Sequence, residues 1–257
     1  MTAVVSVKNL RKRYRRADPW AVDGVSFELE AGQAFGLLGP NGAGKTSVVK
    51  IIAGLLRPDD GSVTVFGAAP GEPAARARLG FAPEDPDFPK YLRADEILDY
   101  FASLLGLDEA ERKRRIPETL AFAGLDAEKR QVRQYSKGMK QRLGIAQAIL
   151  GRPQLLILDE PTADLDPLGR RDVRALIETL KASGVSILLN SHLLSEVELV
   201  CDTVAIMAKG RVLKEGEMAE VVPEGKTLED VFVELVQAAQ PARDTMPTFI
   251  SDGGTRA

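Results

Sequence analysis

Residues 39–46, which read Gly39-Pro40-Asn41-Gly42-Ala43-Gly44-Lys45-Thr46, decide the fold of this chain. They fit the pattern G-x-x-x-x-G-K-[ST], in which backbone N–H groups surround a phosphate, the lysine reaches the β- and γ-phosphates and the hydroxyl ligates Mg²⁺. The apolar run 34–38 predicts a buried strand before the loop, and apolar residues at helical spacing over 48–56 predict a helix behind it. Strand, loop and helix in this order predict a site for a nucleoside triphosphate with Mg²⁺ at the positive end of the helix.

The composition is that of an ordinary soluble globular protein with one or two domains. The chain has 257 residues, of which 28% are charged and 44% apolar, with a formal net charge of −3. This balance gives no general attraction for nucleic acid, so we expect no nucleic-acid partner. The single cysteine, Cys201, excludes an internal disulfide, is expected in the core and fits a reducing cytosol. No apolar run approaches the roughly 18–20 residues of a membrane span, so we expect another chain to cross the membrane.

The segment before the loop predicts two strands and a basic turn. Alternating or apolar residues over 4–7 and 25–30 favour strands. The basic run 11–16 is interpreted as a solvated surface turn in preference to a nucleic-acid contact, because the charge elsewhere is balanced. Either Tyr14 or Trp20 could stack on a nucleotide base, since every base has an aromatic face.

The middle of the chain predicts a helical insert. Strands are predicted over 62–66 and 78–82. From there a proline-containing loop leads into helical patterns, and we predict an inserted helical subdomain over about 85–150. Within it, a charged helix that begins at Asp108 is predicted to be interrupted by Pro117.

Strand and helix alternation then resumes. The pattern predicts a strand over 154–159, a helix over 167–182, a strand over 185–190, a hairpin over 204–213 and an amphipathic helix over 228–236. The predicted organisation is an α/β domain over 1–222 that contains the insert, a C-terminal helix within 223–240, and a tail over 241–257 that we expect to be disordered.

Two acids and one histidine are candidates for the chemistry. Asp159 ends an apolar strand and fits the magnesium-holding carboxylate of phosphate-loop enzymes. We expect this strand to lie next to the loop-bearing one in a parallel sheet. Glu160 is placed to polarise an attacking water, with a helix-capping or surface acid as the alternative. His192, the only histidine, follows another apolar strand and is predicted to sense the γ-phosphate, although most lone histidines are structural or exposed.

Four motifs together resemble the ATP-binding subunit of an ABC transporter, over about residues 4–215. They are Tyr135-Ser136-Lys137-Gly138-Met139, similar to the family signature, then Leu155-Leu-Ile-Leu-Asp159-Glu160-Pro-Thr162, Ala163-Asp-Leu-Asp166 and Asn190-Ser-His192. The resemblance implies an α/β P-loop NTPase core with an antiparallel β subdomain and the inserted helical subdomain. It also implies an ATPase that is coupled to transport through separate permease subunits and is bound through them to the cytoplasmic face of the cell membrane.

The resemblance further implies that two ATPase subunits, identical or different, dimerise head to tail with each ATP between the phosphate loop of one and the signature of the other. Tyr14 would stack on adenine, Asp166 would communicate across the dimer, and the catalytic residues would be Lys45, Glu160 and His192. The implied magnesium ligands are Thr46, Glu84 and Asp159. The implied ATP-binding residues are Tyr14, Gly39, Pro40, Asn41, Gly42, Ala43, Gly44, Lys45, Thr46, Ser47, Glu84, Ser136, Lys137, Gly138 and Asp166.

The chain departs from the family pattern at two sites. Lys137 and Met139 stand where the family usually has glycine and glutamine, and Glu84 stands where it usually has glutamine. A carboxylate still suits Mg²⁺. These variants are similar to those of ATPases that pair with ABC-2-type export permeases, so export is favoured. The resemblance also implies that a groove beside Glu84 receives a permease helix, with Phe88 and Tyr91 either as contacts or as packing within the insert.

Two other classes of protein fit this sequence less well. A soluble ABC-type ATPase that acts on ribosomes or DNA usually carries two ATPase units or a long coiled coil, and neither pattern is present here. Co-purification with a membrane protein, as opposed to tight binding to ribosomes or DNA, would discriminate between the two. A purely structural nucleotide-binding module is opposed by the presence of both Glu160 and His192.

Overall fold

The computed structural model describes residues 3–239. Its strands are β1 (Ala3–Lys12), β2 (Val22–Glu30), β3 (Ala34–Leu38), β4 (Asp60–Val65), β5 (Leu79–Ala82), β6 (Leu155–Asp159), β7 (Ser186–Asn190), β8 (Thr203–Ala208) and β9 (Arg211–Glu217). Its helices are α1 (Lys45–Ile52), α2 (Pro73–Arg76), α3 (Ala94–Leu104), α4 (Glu109–Phe122), α5 (Lys137–Ile149), α6 (Pro167–Ala182), α7 (Leu194–Val200), α8 (Met218–Val221) and α9 (Leu228–Ala238).

The main sheet has six strands in the order β5-β6-β7-β3-β8-β9. The first five run parallel and β9 is antiparallel to β8. Every residue of β3, β6 and β7 is buried, as expected for strands covered on both faces. The carboxyl ends of these three strands therefore meet at one edge of the sheet, where the phosphate loop begins.

The expectation that the Asp159 strand lies next to the loop-bearing strand is wrong. Strand β7 lies between them, because Asn190 pairs with Leu37 on one side and with Asp159 on the other. The strands β6 and β7 are both short, mostly apolar and wholly buried, so their sequences do not show which one neighbours β3. The intervening strand brings its own polar end, Asn190, into the site.

A second, antiparallel sheet in the order β2-β1-β4 covers the phosphate-loop side of the core. Alternate residues of β2 are buried, and Phe27 stacks on Phe35 of β3 with ring centroids 4.8 Å apart. Residues of this sheet, of α1 and of β3 form one continuous apolar cluster. The predicted antiparallel β subdomain is confirmed, and with it the α/β fold class.

Helices α3, α4 and α5 form a unit with its own apolar core, which includes Leu98, Leu120 and Leu143. A proline-containing loop leads into it from β5, and α5 also contributes Ile145 to the apolar cluster of the main sheet. Through this shared packing, the position of α5 depends on both units. The exact division of the chain into subdomains stays a prediction.

The predicted interruption at Pro117 is wrong, because α4 runs through that residue. Proline removes the hydrogen bond to the residue four positions earlier, and its ring crowds the carbonyl group of that residue. Pro117 lies on the exposed face, where water can satisfy the freed carbonyl group, whereas Ile116 and Leu120 are buried on the other face. Burial of the apolar face therefore maintains the helix despite the proline.

The C-terminal part confirms the predicted hairpin, β8 and β9, and the amphipathic helix α9. Leu228, Val231 and Val236 of α9 are buried, and a capping box between Thr227 and Asp230 begins this helix. Cys201 is a core residue, and burial raises the pKa of its thiol to about 12. No helix between residues 3 and 239 combines the length and apolar character that a membrane span requires. The predicted disordered tail lies outside the described residues.

Candidate nucleotide-binding site

The phosphate loop connects β3 to α1 and is pressed against its neighbours at two glycines. Gly44 has φ 99°, a conformation that L side chains rarely adopt, and a Cβ there would collide with the carbonyl oxygen of Ala21. A Cβ on Gly39 would collide with the carbonyl oxygen of Met207. The turn between β8 and β9 adds a hydrogen bond of 3.0 Å to the loop carbonyl of Ala43. The curvature of the loop is therefore fixed by the surrounding backbone.

Lys45, the first residue of α1, is buried under the loop. Its ammonium group donates a hydrogen bond of 2.7 Å to the carbonyl oxygen of Gly39. Burial lowers the pKa of Lys45, and the nearby carboxylates of Glu160, Asp159 and Glu84 oppose this shift. One buried cation thus faces three acids, an arrangement with excess negative charge unless a further cation is bound.

Asp159 and Asn190 lie side by side at the ends of β6 and β7. Both are buried, and the Asn190 Nδ2 group donates a hydrogen bond to Asp159 Oδ1. The Oδ1 atom of Asn190 has no protein partner among the described residues. Asn190 was predicted only as part of a motif, without a role of its own. Its position at the end of an apolar strand, like that of Asp159, was the signal that could have identified it.

Glu160 and His192 form a contact that the sequence analysis did not predict. Glu160 has φ 49°, and its carboxylate Oε2 accepts hydrogen bonds from the backbone N–H of His192 at 3.1 Å and from the ring Nδ1 at 2.7 Å. Glu160 is 8% exposed, whereas the side chain of His192 is 50% exposed. The buried acid is thus oriented by the histidine, whose ring faces outward.

Nine of the predicted ATP-binding residues share one cavity of about 420 Å³ with Glu160 and His192. Its lining comprises Tyr14, Ala21, Asn41, Gly42, Ala43, Gly44, Lys45, Thr46, Ser47, Glu84, Glu160 and His192. The hydroxyl groups of Tyr14 and Ser47 are hydrogen-bonded at 2.8 Å. Trp20 does not line the cavity, and the guanidinium group of Arg13 stacks over its ring at 4.5 Å. The geometry favours Tyr14 as the aromatic residue beside a bound base.

The signature residues and Asp166 do not line this cavity. Ser136 caps α5 and accepts a hydrogen bond of 3.2 Å from the backbone of Met139, so the helix begins at Lys137. Lys137 forms an ion pair with Asp164, and Asp166 caps α6. Within one chain, the predicted ATP-binding residues are therefore divided between the phosphate-loop cavity and the beginnings of α5 and α6.

The donor set around Lys45 fits a magnesium ion that is shared with a triphosphate. Mg²⁺ is usually held by one or two carboxylates together with phosphate oxygens and waters. Asp159 supplies a buried carboxylate, Thr46 a hydroxyl and Glu84 a carboxylate at the cavity rim. Over residues 3–239, no three histidine, cysteine or acidic side chains converge into a self-sufficient metal site.

The sheet order, the phosphate loop, and the acid and histidine that face it define a P-loop NTPase with the architecture of an ATP-binding cassette. The family model "ABC transporter" matches residues 22–163, which is more than half of the chain. The chain belongs to the ABC transporter family.

Relatives and solved structures agree with this assignment. An uncharacterized ABC transporter ATP-binding protein of Synechocystis is 46% identical over 201 residues, covering 77% of this chain and 57% of that protein. The match thus spans less than two thirds of that relative. A Nod factor export ATP-binding protein I of Cupriavidus metallidurans is 37% identical over 253 residues, covering 96% of this chain and 81% of that one. The solved structure of an ATP-binding subunit of an ABC transporter is 33% identical with a TM-score of 0.80, covering 91% of this chain and 99% of that one.

Proposed function

We propose that this chain is the ATP-binding and ATP-hydrolysing subunit of an ABC transporter, which powers export through a separate membrane permease. The observation that carries the proposal is the Glu160–His192 pair opposite the phosphate loop, where Oε2 and Nδ1 are 2.7 Å apart. A module that only binds nucleotide has no need of a buried, oriented carboxylate at this position. The proposal places the chain at the cytoplasmic face of the membrane, held there by the permease.

The residues divide the work of hydrolysis between them. Lys45 neutralises the triphosphate, and the backbone N–H groups of the loop bind its oxygens. Glu160 accepts the proton of the attacking water, while His192 fixes the carboxylate and presents its second ring nitrogen towards the γ-phosphate. Bound Mg²⁺, held by Thr46, Asp159 and Glu84, would neutralise the charge that develops on the phosphates.

The division of the site between two surfaces supports a head-to-tail dimer. The N-terminus of α5, at Ser136 and Gly138, has N–H groups without partners inside the helix and a partial positive charge, which favours an anion. In the dimer this surface closes over the ATP that is bound to the phosphate loop of the other subunit. Hydrolysis then removes the phosphate that links the two subunits, and they separate.

A groove of about 580 Å³ between the main sheet and the helical unit is the proposed docking site for a cytoplasmic helix of the permease. Leu104 and Leu105 at its rim are 66% and 52% exposed, an apolar surface of the kind that marks protein interfaces. Phe88 is buried against Phe101 and also lines the groove, whereas Tyr91 is exposed and does not line it. Two relatives, the Nod factor export ATP-binding protein I of Cupriavidus metallidurans and a linearmycin resistance ATP-binding protein of Bacillus subtilis, support an export partner.

The groove is tested by introducing a charge. We expect Leu104→Glu to abolish co-purification with the permease and to leave the ATPase activity of the separate subunit unchanged, because the change lies outside the nucleotide cavity. Leu199→Glu, at a residue that is 63% exposed and outside the groove, is the matched control. Equal permease recovery with both variants would contradict the docking site.

The adenine contact is tested at Tyr14. We expect Tyr14→Ala to weaken ATP binding by about 1–3 kcal/mol, the range for a base stacked on an aromatic ring. Tyr14→Phe keeps the ring but loses the hydrogen bond to Ser47, and so should bind ATP with nearly normal affinity. Titration calorimetry with ATP and with inorganic triphosphate, which lacks a base, separates stacking from phosphate binding. If Trp20→Ala weakens binding and Tyr14→Ala does not, Tyr14 is the wrong residue.

The proposed function itself is tested by reconstitution. The purified chain should hydrolyse Mg-ATP, and its rate should change when it is combined in lipid vesicles with a permease encoded beside it. A chain that binds ATP without hydrolysing it, alone and with the permease, would contradict the proposal.

A further inference from the structure

The first residue of α5 is joined to the loop that follows Glu160. Lys137 Nζ lies 2.8 Å from Asp164 Oδ2, and the two side chains are 39% and 81% exposed. This pair connects the signature to the segment between Glu160 and α6. The lysine thus links the two parts of the chain that the proposed dimer brings to different ATP molecules.

The backbone around Asp164 fixes the direction of its side chain. Asp164 has φ 55°, a left-handed conformation that aspartate and asparagine tolerate better than most residues. On one side, Ala163 donates a backbone hydrogen bond of 3.1 Å to Glu160, and on the other Asp166 caps α6. The pKa of Asp164 is lowered, first by the hydrogen bond and charge of Lys137 and then by the charges of His192 and Arg170. Asp164 therefore lies within electrostatic reach of both the signature lysine and the histidine.

We propose that Asp164 is a positioning residue, which holds the Lys137 ammonium in the separate subunit and releases it to the γ-phosphate of the ATP bound by the second subunit. The inference rests on the proposed function, because only a head-to-tail dimer brings that phosphate to Lys137. It gives the lysine, which departs from the family pattern, a role that glycine could not fill.

An exposed ion pair suits such an exchange because it is weak and is screened by salt. A triphosphate carries several negative charges and would meet Lys137 at the positive end of α5, where anions are favoured. The triphosphate therefore competes with Asp164 for the ammonium group of Lys137, and it attracts this group more strongly because it carries more negative charge. In the separate subunit, the same pair cancels the positive charge and keeps the lysine side chain in one conformation.

The test compares dimer dissociation constants in a Glu160→Gln background, which prevents hydrolysis during the measurement. Asp164→Asn removes the charge but suits the same backbone conformation. Because two pairs are broken in each dimer, we expect Asp164→Asn to lower the ATP-dependent dissociation constant about 2- to 30-fold at low salt. This difference should shrink as salt is raised. Combined with Lys137→Gln, Asp164→Asn should have no effect, and Asp126→Asn, at an exposed aspartate of the insert, is the matched control.

A second measurement follows the pair in the separate subunit without nucleotide. Asp164→Asn should accelerate acylation of Lys137 by an amine reagent, as read by mass spectrometry, because the amine is no longer held by a carboxylate. Three results would each overturn the inference. Asp164→Asn could leave the acylation rate of Lys137 unchanged, or it could give the same dissociation constant as Asp126→Asn. It could also lower the dissociation constant equally when Lys137 is replaced by glutamine. If Glu160→Gln formed no ATP-dependent dimer at all, the proposed function would fail and the inference with it, even with the acylation change intact.

Discussion

Glu160→Gln is expected to bind ATP nearly as well as the unmodified chain while its turnover falls by about 10²- to 10⁴-fold, the contribution of a positioned general base. The amide oxygen of glutamine can still accept the hydrogen bond that the backbone of His192 donates at 3.1 Å. The variant therefore keeps the geometry and loses the proton acceptor. The rate of phosphate release at saturating ATP measures turnover, and equilibrium binding measures the affinity for ATP, so the two effects are separated.

The control for this substitution is Glu178→Gln on α6, an exposed acid outside the cavity. It should leave both affinity and turnover unchanged. Near-normal turnover of Glu160→Gln would remove Glu160 from the mechanism, and His192 would then have to be tested as the base in its place.

Lys45→Ala is expected to reduce ATP affinity by at least about tenfold, since hydrogen bonds to charged groups contribute roughly 1.5–3 kcal/mol each. Removal of the buried ammonium also leaves the carboxylates of Asp159, Glu160 and Glu84 without the cation that faces them. These acids would then repel the triphosphate, so the loss should exceed that of a single hydrogen bond.

Titration calorimetry with ATP and with adenosine measures this effect. The loss should appear with ATP and be absent with adenosine, because Lys45 lies under the phosphate loop. Lys50→Ala, at an exposed lysine of the same helix, is the matched control and should bind ATP normally. Unchanged ATP affinity of Lys45→Ala would contradict the assigned contact.

Local structure was predictable because each element carries its own signal. The α6 helix was predicted over the residues that form it, and β7 is shorter than its prediction by one residue. Burial on both faces gives β3, β6 and β7 unbroken apolar runs, and the helices have one apolar side. The glycines of the loop predicted a sharp turn, which the structure has at Gly44.

The order of the strands was not predictable from these signals. The strands β6 and β7 are both short and wholly buried, so hydrophobicity does not rank them as neighbours of β3. The interruption at Pro117 was wrong for a related reason. The sequence shows that proline disfavours a helix interior. It does not show the burial of Ile116, which outweighs this preference and depends on tertiary packing.

The site was predictable as a set of residues and not as a set of contacts. The residue types of Glu160 and His192 indicated their chemistry, yet their hydrogen bond joins positions 32 residues apart. The Tyr14–Ser47 and Lys137–Asp164 contacts likewise depend on long-range packing. The roles of Ser136 and Asp166 in the ATP site depend on a second subunit, so these roles stay predictions.

The central claim is that ATP is held between two subunits, and the most direct measurement is specific ATPase activity as a function of subunit concentration. We expect activity per subunit to rise with concentration to a plateau, in step with ATP-dependent dimerisation measured by sedimentation, and we expect Ser136→Ala to lower the plateau. Activity per subunit that is constant at every concentration, with the chain monomeric throughout and Ser136→Ala fully active, would contradict the claim.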